Sequence, residues 1–453
     1  MIKSNRFAVG LVVLAVLVSL AAVACGDNAD PASNQESTDV ASARPTLSPP
    51  RPTSKPSPET QPSPTDVPSE TATPTPTETA TQSDSVEESQ PVTDALLSGR
   101  SLDDTLAAKL VGLQGWINSE PFTLEEQRGN VVLIDFWTYT CINCIRTFPA
   151  LRSWHAKYAD QGLVILGVHA PEFEFEKIRE NVVQAVLDNN LGWAIAQDND
   201  HDTWRAFKNQ FWPAKYLIDK DGYIRYTHFG EGSYAETEEK IQQLLAEAGA
   251  SMTSIEVSDE FERYIDQQAS ASSDPYENQT RELYAGFNRN YNALAGGNTA
   301  PYVRQQEFYE SPYQEIDYSD PGDHVNHFLY LEGLWVNGFE EVIHARETEN
   351  YEDYVGIAFA AIEANVVVSV EDGETYEVRV TMDGGPLDSS QAGADIRFDD
   401  EGNSYILVDK SDLYHLVQLP EFGSHNLTLS SNSDKFSLFA YTFGSYLEPE
   451  DGG

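Results

Sequence analysis

The chain has 453 residues, of which 73 are acidic and 28 basic, and its formal charge at pH 7 is −45. A protein that binds nucleic acid needs a basic surface, so this charge excludes a nucleic-acid-binding function. About 360 residues follow Asp94, which is too many for one compact core and about right for two domains.

The N-terminus has the pattern of an export signal. Lys3 and Arg6 precede an uncharged apolar stretch, Phe7–Ala24, that ends in small residues before Cys25. This pattern resembles a bacterial lipoprotein signal peptide over residues 1–24, with cleavage before Cys25 and lipid on its sulfur. A retained anchor helix is the alternative, because about 18 apolar residues can just span a bilayer. Either interpretation predicts an extracytoplasmic protein tethered to a membrane.

The composition of residues 25–94 is incompatible with a packed core. Eleven of the 24 prolines lie between Ala41 and Ala80, interleaved with serine and threonine. Such a segment is a solvated, partly polyproline-like spacer. We therefore expect a disordered linker between the lipid-bearing Cys25 and the folded part of the chain.

Residues 95–250 alternate between apolar strands and helical segments, which predicts an α/β domain with a mixed sheet covered by helices on both faces. The last two strands are joined by a hairpin signal, Lys220-Asp221-Gly222. The predicted strands are Val131–Trp137, Leu163–His169, Trp193–Ala196, Lys215–Asp219 and Tyr223–Phe229. The predicted helices run from Cys141 or Asn143 to Tyr158 and over Phe175–Asn189, Asp202–Lys208 and Tyr234–Ala246.

Cys141-Ile142-Asn143-Cys144 lies between the first of these strands and the helix that follows. A cysteine at the start of a helix lies near free backbone N–H groups and the positive end of the helix dipole, which favour the thiolate. Tetrahedral zinc needs about four ligands, yet there is no second CxxC, and the one close histidine pair, His324 and His327, is far from the CxxC in sequence. We therefore predict a redox-active disulfide, Cys141–Cys144, with no metal or other cofactor. Cys141 is expected to be the accessible attacking thiol and Cys144 the shielded resolving thiol.

The order of these elements, with a CxxC after the first core strand, resembles the thioredoxin fold. The extra helix and strand between Phe175 and Ala196 resemble the TlpA/ResA branch of exported thiol-disulfide oxidoreductases. Several strings are similar to the periplasmic thioredoxin part of DipZ-type proteins: DFWTYTCINCIRTFP, GVHAPEFEFEK, AQDNDHDTW, FWPAKYLIDKDG and THFGEGSY. The resemblance covers most of residues 113–247.

The resemblance implies roles for two residues outside the CxxC. Asp135 lies six residues before Cys141, where thioredoxins hold a buried acid, and its carboxyl would carry protons to and from Cys144. Because an amide costs less to bury than a carboxylate, Asp135→Asn is expected to stabilise the fold. Pro213 matches the proline that is cis in this fold and packs against the CxxC.

Other residues near the CxxC are weaker candidates. Three aromatic residues either form a hydrophobic rim for client peptides or pack in the core, and the sequence favours neither: Trp137, Tyr139 and Trp212. Three polar residues follow the next strand, where α/β proteins often place functional groups, although a solvated loop is the favoured interpretation: His169, Glu172 and Glu176.

Residues 251–300 are predicted to be a connector with one helix, Asp259–Gln267. Period-two patterns and turn signals over residues 301–447 predict an antiparallel β-sandwich or jelly roll. The predicted strands are Val342–Arg346, Val355–Ile362, Asn365–Val370, Tyr376–Met382, Ser404–Val408, Tyr414–Gln418, Asn426–Leu429 and Phe436–Phe443.

The strings LEGLWV, RFDDEG, DLYHLVQL and AYTFG resemble the sandwich of DipZ-type proteins, which is similar to a carbohydrate-binding module. Glycan binding is thus one option for this domain, beside protein docking and a structural role. A sugar site needs exposed aromatic residues, and the candidates are mostly expected to pack in the core or at an edge: Tyr330, Trp335, Tyr351 and Tyr354.

We therefore predict a membrane-anchored, extracytoplasmic thiol-disulfide oxidoreductase that reduces or exchanges disulfides in exported proteins, with cytochrome c maturation as one context. The multi-helix membrane domain of DipZ-type proteins is expected to be missing, so a separate membrane electron donor of the DsbD/CcdA type is implied. The alternatives are a thiol peroxidase and a glycan- or protein-binding lipoprotein that uses the fold as a scaffold. Every residue assigned to the chemistry lies between Asp135 and Pro213, so the C-terminal domain is expected to be dispensable for it.

Overall fold

The computed structural model describes residues 105–447, except 253–254, 262–263, 266–276, 295–299, 311 and 371–372. The predicted signal peptide, the lipid site at Cys25 and the predicted linker lie outside the described residues. Over the described part of the chain, no helix combines the length and the apolar character needed to cross a membrane.

Seven strands and four helices build the first domain. Its strands are β1 Thr105–Leu106, β2 Gln114–Ile117, β3 Val131–Trp137, β4 Leu163–His169, β5 Ala194–Gln197, β6 Ala214–Ile218 and β7 Tyr223–Phe229. Its helices are α1 Ile142–Tyr158, α2 Arg179–Asp188, α3 Asp202–Ala206 and α4 Tyr234–Glu247, with a 3₁₀ turn at Glu174–Lys177.

The seven strands form one mixed sheet in the order β1-β7-β6-β3-β4-β5-β2. The central strand β3 runs parallel to β4 and antiparallel to β6, and all seven of its residues are buried. This burial explains its apolar sequence, which only Asp135 interrupts, because helices cover both faces of such a sheet. The predicted α/β fold is confirmed. The edge strands β1 and β2 were not predicted, because two to four residues carry no usable periodicity.

The C-terminal domain is dominated by an eleven-stranded sheet whose strand pairings are antiparallel. Its strands are β9 Leu283–Tyr284, β10 Glu315–Tyr318, β11 Leu329–Asn337, β12 Val342–His344, β13 Tyr354–Ser369, β14 Tyr376–Met382, β15 Gly385–Pro386, β16 Arg397–Phe398, β17 Ser404–Val408, β18 Asp412–Ser430 and β19 Ser437–Gly444. Two short helices, α5 Phe287–Leu294 and α6 Glu307–Glu310, accompany it, and β8 Tyr264–Ile265 pairs with β20 Tyr446–Leu447.

The predicted all-β class is confirmed. In two places, however, a pair of predicted strands is one long strand, β13 in the first case and β18 in the second. β13 joins the segments predicted on either side of Glu363, where its register against β18 shifts at a bulge. A bulge interrupts the two-residue alternation without ending the strand, which is why the sequence suggested a break there. The described part of the predicted helix Asp259–Gln267 includes the strand Tyr264–Ile265, so that helix prediction is wrong there.

The two domains share an apolar contact beside the CxxC. Ile142 and Phe173 of the first domain belong to the same buried cluster as the core of the second. The ring of Phe439 on β19 lies 5.2 Å from that of Phe173 and 4.9 Å from that of Phe175, edge to face in both cases. Such aromatic pairs add to the free energy of apolar burial.

The buried cation Arg146 links helix α1 to the second domain. Arg146 on α1 donates to Glu231 at 3.1 Å, to the side chain of Asn143 and, across the domain boundary, to Glu363 of β13. Its guanidinium also lies 5.1 Å from the ring centre of Tyr446. The helix that begins at the CxxC is therefore held by both domains.

Replacement of Phe439 by alanine tests the apolar contact. Because the ring is buried between the domains, Phe439→Ala should lower the free energy of unfolding by about 3 kcal/mol. The matched control is Phe339→Ala in the same domain, whose ring is 52% exposed and whose loss should cost less than about 0.5 kcal/mol. Urea unfolding followed by fluorescence measures both, and equal values would contradict the proposed contribution of the contact.

Candidate active site

The two cysteines lie at the start of α1. Cys141 is the N-cap residue, and the backbone N–H of Cys144 donates to its Sγ at 3.3 Å. Cys141 is partly exposed, whereas Cys144 is buried inside the first turn of the helix. The geometry therefore leaves Cys141 as the reachable thiol of the pair.

Two opposing effects act on the Cys141 thiol. Burial raises its pKa, the hydrogen bonds with Cys144 work in the other direction, and the negative charges of Glu282 and Glu172 raise the pKa further. Burial also raises the pKa of Cys144 well above its ordinary value, with contributions from Cys141 and from the charge of Asp135. The helix N-terminus alone suggested an easily ionised thiol, but the surroundings oppose ionisation.

Asp135 is buried beneath the helix, on β3, and is paired with a lysine that the sequence analysis missed. The carboxylate Oδ1 lies 3.3 Å from Nζ of Lys215, which stands directly opposite it on β6, and each residue is 1% exposed. Burial raises the pKa of Asp135, and the positive charge of Lys215 opposes that rise. A lysine within the apolar segment AKYLI was the available signal, but only the strand register shows what it faces.

The peptide bond between Trp212 and Pro213 is cis, as the resemblance implied. The indole N–H of Trp212 donates to the carbonyl of Ala170 at 2.9 Å, which ties this loop to the end of β4. Trp212 is half-buried and borders a cavity that also contains Cys141. Of the three predicted rim residues, it is the one at this cavity.

The other two predicted rim residues do not form a rim. Trp137 and Tyr139 are buried. Trp137 packs edge to face on Phe148 of α1, and Tyr139 stacks on His169. Their place is in the core behind the CxxC, because the strand and turn that carry them are covered by α1 and by the loop after β4.

The cavity at Cys141 has a volume of about 110 Å³ and walls from both domains. From the first domain come Thr140, Cys141, Glu172, Phe173 and Trp212, and from the second come Glu282, Tyr284, Arg289, Val367, Ala440 and Thr442. Residues outside the range Asp135–Pro213 thus border the dithiol, while the expectation that the C-terminal domain is dispensable for the chemistry stays a prediction. Segments distant in sequence supply six of the eleven wall residues, which sequence spacing cannot reveal.

Charged groups of both domains meet at one side of this cavity. The Glu172 carboxylate accepts from Arg289 at 2.7 Å and lies 3.0 Å from the Tyr284 hydroxyl, which is also 3.0 Å from a carboxylate oxygen of Glu282. The Arg289 guanidinium lies 4.4 Å from the centre of the Tyr284 ring. This network connects the loop after β4 to the segment that carries β9.

Glu176 and His169 are buried rather than solvated. Glu176 is 0% exposed, and its carboxylate accepts from the Thr140 hydroxyl and from the backbone N–H groups of Glu172 and Phe173. Burial raises the pKa of Glu176 to about 7, although these hydrogen bonds oppose the rise. The signal that could have identified it is a glutamate three residues into a helical turn, a position that commonly caps backbone N–H groups.

The predicted sugar-contacting residues of the C-terminal domain are mostly unavailable. Trp335 and Tyr330 are buried, and the Trp335 indole N–H donates to the carbonyl of Glu332 at 2.8 Å. Tyr351 and Tyr354 are partly exposed, and their hydroxyls donate to carboxylates of their own domain. Among the described residues, no group of three or more histidine, cysteine, aspartate or glutamate side chains is placed to hold a metal ion.

Two family descriptions match the chain. The AhpC/TSA family matches residues 107–227, and the thioredoxin like C-terminal domain matches residues 280–444. The first match covers the CxxC and its sheet, and the second covers most of the all-β domain.

Individual relatives match the first domain. Protein DipZ of Mycobacterium tuberculosis and of Mycobacterium bovis is 46% identical over 145 residues, which are 31% of this chain and 21% of DipZ. The chain thus spans about a fifth of the length of these relatives. The thiol-disulfide oxidoreductase YkuV of Bacillus subtilis is 31% identical over 140 residues, which are 31% of this chain and 93% of YkuV. The predicted relation to thioredoxin-family proteins, DipZ among them, is confirmed.

Among solved structures, the solution structure of a thioredoxin-like protein in the oxidised form is 28% identical to this chain, with a TM-score of 0.30. The match covers 32% of this chain and 97% of that protein.

The exposure difference between the two thiols predicts selective labelling. Sub-stoichiometric iodoacetamide added to the reduced protein should modify Cys141 almost exclusively, because Cys144 is enclosed by the first turn of α1. Peptide mapping by mass spectrometry locates the adduct, with Cys141→Ser as the control that should stay largely unlabelled. Preferential labelling of Cys144 would reverse the two roles.

The Asp135–Lys215 pair changes the expected effect of Asp135→Asn on stability. The substitution should lower the free energy of unfolding by about 3 kcal/mol, because it leaves the buried Lys215 ammonium without its counter-charge. If Asp135 accepts the proton of Cys144, the variant should also resolve a mixed disulfide about tenfold more slowly, below the usual range for a general base.

Urea unfolding and stopped-flow exchange measure the two effects separately. The matched variant is Asp135→Asn combined with Lys215→Met, which should recover stability while resolution stays slow. Normal resolution in the single variant would show that Asp135 has only a structural role.

Proposed function

The chain belongs to the thioredoxin-like thiol-disulfide oxidoreductases, and from that premise we propose that it reduces disulfide bonds in exported proteins. The observation that supports this best is the arrangement of the dithiol. A partly exposed Cys141 opens into a cavity, and a buried Cys144 lies one helical turn behind it. This is the arrangement that attack followed by intramolecular resolution requires.

In the first half of the reaction, the Cys141 thiolate attacks one sulfur of a client disulfide. A bond forms between Cys141 Sγ and that sulfur, the client S–S bond breaks, and the second client sulfur leaves as a thiolate that takes up a proton. The cavity of about 110 Å³ is smaller than the sites of roughly 300–1,000 Å³ that enclose drug-sized ligands. It therefore suits a single cysteinyl side chain on an extended client segment.

In the second half, Cys144 attacks Cys141 Sγ and releases the first client sulfur. Asp135 accepts the proton of Cys144, and Lys215 stabilises the carboxylate form of Asp135 by its charge. The client gains two electrons and two protons, and the enzyme is left with a Cys141–Cys144 disulfide. A new cycle then needs a thiol donor, which we propose to be a separate membrane protein of the DsbD/CcdA type.

The surroundings of Cys141 favour the reducing direction. Strong disulfide oxidants depend on a reduced form that is stabilised, commonly as a thiolate of low pKa. Here burial raises the pKa of Cys141, and the charges of Glu282 and Glu172 act in the same direction. The reduced dithiol gains no such stabilisation, so it gives up electrons readily.

We further propose that the protein works outside the cytoplasm, anchored by lipid on Cys25, with the proline-rich linker giving reach from the membrane. The export-signal pattern and the many prolines of residues 25–94 support this proposal. Apocytochromes awaiting haem attachment are one class of client compatible with a reducing enzyme in that compartment. The C-terminal domain serves as a wall of the active site, a role supported by the cavity residues that it contributes.

The equilibrium reduction potential of the dithiol tests the direction of electron flow. We expect a value nearer about −270 mV, as in reducing thioredoxins, than about −120 mV, as in the strongest oxidants. Equilibration of the detergent-solubilised full-length protein in graded thiol–disulfide buffers, followed by alkylation and mass spectrometry, measures it. Cys144→Ser is a control that cannot form the disulfide. A potential near the oxidising end would refute the reductase assignment.

A further inference from the structure

The first half of the proposed reaction leaves one proton without a carrier. The Cys141 thiol must lose a proton to become a nucleophile, and its surroundings oppose that loss. The departing client thiolate must gain a proton. Asp135 is assigned to Cys144, so Cys141 needs a proton acceptor of its own.

Three carboxyl groups lie on that side: Glu172 and Glu282 line the cavity, and Glu176 lies behind Thr140. Of these three, Glu176 is the one whose side chain is fully buried. Its Oε1 accepts a hydrogen bond from the Thr140 hydroxyl. Thr140 directly precedes Cys141 in the chain and lines the same cavity. Its Oε2 accepts hydrogen bonds from the backbone N–H groups of Glu172 and Phe173. One oxygen is thus fixed by the loop, and the other accepts from the hydroxyl of a residue that lines the cavity.

This geometry permits both protonation states of Glu176. As a carboxylate, it accepts from all three donors. As a carboxylic acid, it keeps the two backbone N–H groups on Oε2 and donates from Oε1 to the Thr140 oxygen, which frees the Thr140 proton for the cavity. Proton transfer along the hydrogen bond between Thr140 and Glu176 therefore needs no rearrangement of the heavy atoms of these two residues.

The charged and titratable groups around Glu176 favour such exchange near neutral pH. Burial is the main cause that raises the pKa of Glu176 to about 7, and the charge of Glu172 adds to it. His169 stays neutral, because burial lowers its pKa to about 3. The Thr138 and Thr140 hydroxyls lower the pKa of Glu176, and the Tyr139 phenol beside it keeps its proton, because its pKa is raised. A general acid–base group works best when its pKa lies near the working pH.

We propose that Glu176 and Thr140 form a proton relay that serves Cys141. The Glu176 carboxylate takes the Cys141 proton through the Thr140 hydroxyl as Cys141 attacks the client disulfide. The same path then returns that proton to the departing client thiolate. The proton moves from Cys141 to the client sulfur and Glu176 ends as it began, so no further co-reactant is needed. Thr140 is the group of the relay at the cavity, and Glu176 acts through it.

The test is the pH dependence of mixed-disulfide formation with a cysteine-containing peptide disulfide, measured by stopped flow on the detergent-solubilised full-length protein in its Cys144→Ser background. In the parent protein, the logarithm of the rate should rise with unit slope up to about pH 7 and then level off as Glu176 becomes ionised. In Glu176→Gln, only preformed thiolate reacts, so the unit slope should continue above pH 7. At pH 7 the rate should be about tenfold below that of the parent, at or below the low end for general acid–base catalysis.

Three further variants separate a relay from a structural role. Thr140→Val should reproduce the profile of Glu176→Gln, whereas Thr140→Ser, which keeps the hydroxyl, should restore the plateau. Glu174→Gln is the matched control, since its side chain is exposed on the same loop and pairs with Lys177. Its profile should equal that of the parent.

The outcomes distinguish this proposal from the proposed function on which it rests. If Glu176→Gln and Thr140→Val both keep the plateau of the parent, the relay is refuted while the reductase assignment stands. Loss of the plateau in Thr140→Ser as severe as in Thr140→Val would also refute it, because packing rather than the hydroxyl would then matter. If the parent fails to react with any peptide disulfide, the proposed function itself is refuted.

Discussion

The burial of the N-terminus of α1 beneath a second domain is the constraint on which the active site depends. A helix start exposes unpaired backbone N–H groups, and here Cys141 accepts one of them. In water this position would favour a thiolate. Under the all-β domain it is partly desolvated and faces carboxylates, so burial dominates and the pKa of Cys141 rises.

In the proposed mechanism, a buried carboxyl group serves each cysteine of the dithiol. Asp135 lies on β3 beneath Cys144, and Glu176 lies behind Thr140, next to Cys141. Each is buried, and burial raises the pKa of each from its ordinary value. Each also has a partner suited to holding its charge, a lysine in one case and hydrogen-bond donors in the other. With its pKa raised to about 7, Glu176 can exchange protons near neutral pH, which exposed carboxylates do poorly.

The contact between the domains is part of this arrangement. Arg146 is one buried cation between Glu231 of the first domain and Glu363 of the second. A buried ion pair contributes little net stability but strongly disfavours arrangements that leave a charge unpaired. The apolar contact of Phe439 with Phe173 and Phe175 supplies the favourable free energy. Together they fix the helix that carries the CxxC against the wall of the cavity.

The sequence by itself determined the local parts of this protein. The apolar run of β3, the CxxC at a helix start and the alternation of strands and helices are short-range patterns, so the α/β fold and the dithiol could be recognised from them. The long strand β13 was split because a bulge near Glu363 breaks the alternation. A bulge is a local backbone event that leaves the pairing intact, and the pattern alone cannot distinguish it from a strand end.

The tertiary structure alone decided which charges and walls surround the dithiol. Lys215 pairs with Asp135 through the register of two strands about 80 residues apart in the chain. The Glu176 carboxylate is buried where three hydrogen-bond donors satisfy it. The wall formed by Tyr284, Arg289 and Ala440 comes from a separate domain. Burial and Coulomb interactions depend on distance in space rather than along the chain, so spacing and periodicity carry no information about them.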